Sequence, residues 1–147
     1  MNTLDIFKHL SADEHSNFCG VKARDQLPNK ISYPCGFVVN TDNKNETGEH
    51  WVALYFYDKN KAIFFDPMGF SPKYHKFQKY IKKHSKEYEW NDQQIQSLSS
   101  INCGYFCVLF IQKISRNYSF GRFLKLFRKN KQYNDALINK LKQRNFF

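Results

Sequence analysis

QSLSSINCGYFCVLFIQKISR, residues 96–116, contains the sharpest change of pattern in this chain. A polar, serine-rich approach gives way at Cys103 to a segment with apolar side chains almost all the way round a helical projection. That pattern predicts a helix over Cys103 to Arg116 buried at the centre of a domain. Upstream, Trp51 to Tyr57 (WVALYFY) and Ala62 to Phe65 (AIFF) are aromatic and apolar runs separated by the turn residues Asp58-Lys59-Asn60-Lys61. They predict a hairpin whose strands are buried on both faces.

Further out the signals weaken. Thr3 to His9 predicts a short helix with Leu4, Ile6, Phe7 and Leu10 as its apolar stripe, followed by a loop to Pro28. Tyr33 to Asn40 predicts a strand, and the polar run from Thr41 to Gly48 a loop. After Pro72, the residues Tyr74, Phe77, Tyr80, Ile81 and His84 recur at helical spacing against a lysine-rich face, and the chain then turns through Trp90 and Asn91. Phe120 to Asn145 reads as one or two basic helices, and there is no internal repeat.

The 147 residues, with 15 Phe and 9 Tyr, suit one domain over 1–147, with 113–147 as its basic helical segment. No apolar leader opens the chain and no run is long enough to span a bilayer, so no membrane association and no secretion are expected. Cys19, Cys35, Cys103 and Cys107 are too irregular for a disulfide framework, which points to a reducing compartment. Of the net charge of +10, residues 112–147 contribute ten basic side chains against one acidic, a net +9. Arg122, Lys125, Arg128, Lys129 and Lys131, interleaved with Phe123, Phe127 and Tyr133, are a candidate nucleic-acid surface; a solvated helical face is the plainer reading.

The chemistry-bearing residues occur in the order His50, Asp66, Gln96, Cys103. A thiol protease needs a base, an orienter for it, an amide donor for the oxyanion and a nucleophile. Cys103 falls where a helix starts, so unpaired N–H groups favour its thiolate. His50 and Asp66 occupy the start and end of consecutive antiparallel strands, which lie side by side. Each residue alone is weak: a histidine beside Trp is ordinarily a packed strand-edge residue, and an Asp before Pro a turn residue. Cys107 reads as a small hydrophobe, and Cys19 and Cys35 as structural. No metal or cofactor site is expected, since neither a Cys-x2-Cys pair nor a close His pair accompanies Cys103 and Cys107.

The motifs GFVVNTD (36–42), GEHWVALYF (48–56), FFDPMGF (64–70) and QSLSSINCGYFCVLF (96–110) together resemble the adenain-like cysteine proteases, the adenovirus endopeptidase family, related in fold to SUMO-specific proteases. FCGVKARDQLP (18–28) is similar to the short forms found in large DNA viruses and virus-derived mobile elements. The resemblance implies an α+β fold, a central mixed β-sheet flanked by helices, with the nucleophile at the N-terminus of a buried helix. It implies His50 as general base, Asp66 as acid, Gln96 as oxyanion donor and Cys103 as nucleophile. The adenovirus enzyme has Glu where this chain has Asp66. That enzyme is also activated by DNA and by a peptide disulfide-linked to a cysteine upstream of the glutamine. With no cysteine between Cys35 and Cys103, the peptide switch does not transfer.

The expectation is therefore a monomeric cysteine endopeptidase acting on viral or mobile-element precursor polypeptides, in host cytoplasm, nucleus or virion, with DNA as a candidate activator. Three alternatives stand beside it: a deconjugase for ubiquitin or a ubiquitin-like modifier, an acetyltransferase on the same framework, and a nucleic-acid-binding protein whose protease-like site is idle.

Overall fold

In the computed structural model, residues 2–46 and 50–147 are described; Gly48 and Glu49 of the GEHWVALYF motif lie outside them. The order of elements is α1 (Thr3–Ser11), β1 (Phe18–Ala23), β2 (Cys35–Asn40), β3 (Trp51–Phe56), β4 (Lys61–Phe65), α2 (Gln78–His84), β5 (Glu87–Trp90), α3 (Cys103–Ser115), α4 (Phe120–Leu124) and α5 (Lys131–Gln143). The five strands form one sheet in sequence order. β2, β3 and β4 are antiparallel neighbours, while β1 on β2 and β5 on β4 are parallel, so the sheet is mixed.

Strand side chains alternate between faces, and here both faces are covered. Val38, Ala53, Tyr55, Ile63 and Phe65 pack with α1, α3, α4 and α5. Phe37, Val39, Val52, Leu54, Phe56, Ala62 and Phe64 pack on the other side with Phe77 and Ile81. α3 buries nine of its thirteen residues; Phe110 stacks on Phe65 with ring centroids 5.1 Å apart, and Phe123 meets both edge-on. Each such side chain contributes about 1.5–3 kcal/mol by leaving water. α3 is thereby fixed on β3 and β4, which determines where its first residue lies.

Three segments differ from the sequence reading. The loop expected up to Pro28 contains β1, an edge strand bulged between Phe18 and Gly20. β5 forms where only a turn was anticipated; as an edge strand it needs little apolar continuity, and three of its four residues are exposed or charged. The helix after Pro72 starts only at Gln78, because Lys76 adopts φ +65° and interrupts it.

Candidate active site

Phe65 ends β4 and pairs with Ala53 of β3, so Asp66, continuing that register, falls opposite Val52 and diagonal to His50, two residues away on the same face and within side-chain reach. His50 Nε2 lies 2.6 Å from Asp66 Oδ1. The other side of the imidazole meets the Cys103 thiol, and with Nε2 engaged by Asp66, Nδ1 is the nitrogen left for the sulfur. Asp66 is completely buried and Cys103 and His50 are partly so.

The electrostatics follow from these contacts. Burial alone pushes the Asp66 carboxyl up, but His50, His75 and the Met68 N–H overcome it and hold the pKa down at about 2. Burial pulls the His50 imidazolium down, yet its hydrogen bonds to Asp66 and Cys103 raise its pKa to about 9. Burial pushes the Cys103 thiol up; the His50 ring and its charge, with backbone groups of Trp51 and Gly104, bring it below the ordinary thiol value. All three shifts favour a thiolate–imidazolium pair.

The start of α3 is left open. Asn102, the residue before Cys103, makes no side-chain cap bond to the helix. Its amide donates instead to Asn139 Oδ1 (3.0 Å) and accepts from Lys142 Nζ (3.3 Å), both on α5. The helix dipole thus acts on the thiolate. α5 also holds the loop before Cys103: Asn134, fully buried, donates to the Ile95 carbonyl (3.0 Å), and Asp135 accepts from the Ser97 N–H (3.1 Å). Within the basic tail, α5 is therefore a support for the site.

Gln96 is buried, and its backbone N–H, like that of Ile95, donates to the Pro67 carbonyl beside Asp66. Its side-chain Nε2 donates to the Ser100 carbonyl over a long 3.4 Å. Of the candidate nucleic-acid residues, Arg122, Lys125, Arg128 and Lys129 are exposed and Lys131 partly so; Arg122 lies over the Tyr118 ring and Arg128 over Tyr133.

Two residues given no role in the site by the sequence reading belong to it. His75 Nε2 lies 2.8 Å from Asp66 Oδ2. Asn91, buried, bonds both backbone groups of Asp66. Neither carries a periodic or spacing signal, since each acts only once separate turns have met. Among the described residues no group of three or more His, Cys, Asp and Glu is arranged to hold a metal ion, and no helix is long and apolar enough to cross a membrane.

The family model of the adenovirus endoprotease matches residues 27–132, a span containing all four expected site residues. The chain belongs to the adenovirus endoprotease family. It is similar to the protease of Bovine adenovirus C serotype 10, at 28% identity over 56% of this chain and 49% of that protein. It is similar also to the protease of Bovine adenovirus 7, at 32% identity over 50% of this chain and 44% of that protein. The chain thus spans about half the length of the adenovirus proteases it matches. The crystal structure of the ASFV pS273R protease superimposes with a TM-score of 0.62, covering 91% of this chain and 63% of that one at 17% identity, a likeness of fold. The α+β architecture read from the adenovirus endoprotease motifs is the one observed.

Proposed function

We propose that this chain is a cysteine endopeptidase that cleaves viral or mobile-element precursor polypeptides, with Cys103 as nucleophile, His50 as acid and base, Asp66 as its orienter and Gln96 as oxyanion donor. The observation that supports it most is the single imidazole set between a buried carboxylate and a thiol at a helix start.

The Cys103 thiolate attacks the scissile carbonyl carbon, and the carbonyl π electrons move to oxygen. The Cys103 N–H and the Gln96 amide, turning from its long bond to Ser100, receive the oxyanion; such a donor is worth about 2.7–4 kcal/mol of barrier. Collapse breaks the C–N bond while the His50 imidazolium protonates the leaving amine, which gives a thioester on Cys103 and neutral His50. His50 then takes a proton from water, hydroxide attacks the thioester, and the acid product leaves with the thiolate–imidazolium pair restored. Asp66 stays ionised throughout and keeps the ring's Nε2 protonated.

Incubation of wild type and Cys103→Ala with a library of peptides tests this proposal. Cleavage by wild type and none by Cys103→Ala is expected; equal turnover by both would end it.

DNA as an activator is the finer part of the proposal. The exposed cations Arg122, Lys125, Arg128 and Lys129 precede the same α5 that braces the loop before Cys103, so a polyanion bound there has a physical route to the site. A cleavage rate that rises across a DNA titration at low salt, and less so at high salt, is the expected result; a flat titration contradicts it.

A further inference from the structure

We propose that His75 is a positioning residue of this site: it clamps the Asp66 carboxylate in the plane in which it serves His50. The inference rests on the protease reading above and adds to it a second imidazole on the acid.

The carboxylate is symmetrically filled. Oδ1 meets His50 Nε2 (2.6 Å) and accepts from the Met68 N–H (2.8 Å). Oδ2 meets His75 Nε2 (2.8 Å) and accepts from the Phe70 N–H (3.1 Å). Two oxygens of an ionised carboxylate offer about four acceptor positions, and all four are in use. Because an ionised carboxylate can only accept, both histidines must carry their proton on Nε2.

The two backbone donors belong to the turn that follows Asp66, so they rotate with it. His75 comes from nine residues on and ties the carboxylate to the loop before α2. Asp66 has no exposed surface, so water cannot replace a lost donor. A rotation of the carboxylate about its own axis would misalign Oδ1 and the His50 ring together.

The surroundings of His75 are built for this placement. Its ring is walled by Phe64, by Phe70 edge-on at 5.9 Å, by Tyr74 edge-on at 5.0 Å and by His50 at 6.0 Å. The loop is closed by the Phe77 N–H donating to the Pro72 carbonyl (2.8 Å). Lys76, next in the chain, takes φ +65°, a left-handed conformation unusual for a lysine and sustained where surrounding contacts fix the loop.

The test compares His75→Phe, which fills the aromatic box without a donor, with His75→Gln, whose Nε2 can reach Asp66, and His75→Asn, whose amide is too short. Loss of one charge-assisted hydrogen bond corresponds to roughly a ten- to hundredfold rate effect. The expectation is a fall of that size in kcat for Phe and Asn with KM within about twofold, and recovery by Gln to within about fivefold of wild type. Iodoacetamide labelling of Cys103, resolved by mass spectrometry from the exposed Cys19, should follow the same order. If Phe fails to fold, the Gln and Asn pair carries the comparison.

Wild-type kcat in a folded Phe variant, or Gln as impaired as Asn, overturns the proposal while the Cys103-dependent protease reading stands. Wild-type turnover no greater than that of Cys103→Ala ends the protease reading instead, and the Cys103 labelling order still decides the role of His75.

Discussion

The Asn91 side chain holds both backbone groups of Asp66: its Oδ1 accepts the Asp66 N–H at 3.0 Å, and its Nδ2 donates to the Asp66 carbonyl at 2.5 Å. β5 ends one residue earlier, at Trp90, paired with Phe64 of β4. A side chain therefore continues the strand ladder past the last paired residues and fixes the backbone from which the acid projects.

Asn91→Leu should remove both bonds, leaving the buried Asp66 N–H without a partner and its carbonyl with the Gly69 N–H alone. At about 1–3 kcal/mol for a buried group left unpaired, a loss of that size is expected in urea unfolding, with a fall in kcat in whatever fraction remains folded. An unfolding midpoint unchanged from wild type would mean that the ladder needs no such extension.

Gly69 closes the turn that presents Asp66, its N–H donating to the Asp66 carbonyl (2.8 Å) at φ +81°. A Cβ there would lie 2.7–2.9 Å from the Gln93 and Gln94 backbone. Gly69→Ala is expected to cost about 1–3 kcal/mol, read in the same unfolding experiment, and to lower activity by moving Asp66 away from His50. A variant equal to wild type in both would show that the turn shifts freely.

Asp66 and His50 predict opposite pH limits. His50, raised from 6.5 to about 9, contributes stability that is complete below about pH 6.5 and is lost as pH rises through 9. Asp66, lowered from 3.8 to about 2, contributes stability that is complete above 3.8 and is lost as pH falls through 2. Activity should fall on the alkaline side near pH 9, where the imidazolium loses its proton. In Asp66→Asn that limb should move towards 6.5, because the main group raising the His50 pKa is gone; a limb that stays near 9 contradicts the assignment.

The parts of the fold legible in the sequence were those governed by continuous burial. β3, β4 and α3 lie at the centre, and their apolar runs show it. His50, Asp66 and Cys103 were legible because they stand at the ends of those elements. β1 and β5 were not: an edge strand has one neighbour and tolerates Lys22, Glu87 and Glu89, which break the apolar pattern. Half of the apolar stripe read on α1 is correct, with Ile6 and Leu10 buried and Leu4 and Phe7 exposed. His75 and Asn91 could not be found, since what gives them meaning is the meeting of two turns at one carboxylate.

The central claim is that His50 keeps Cys103 as a reactive thiolate, and the most direct measurement is the pH dependence of Cys103 alkylation in wild type and His50→Ala. Wild type should react at pH 7 about tenfold or more faster than the variant, with an apparent thiol pKa below 9.0, and the variant's curve should shift upward. Superimposable curves, with Cys103 ionising at or above 9.0 in both, would contradict the account.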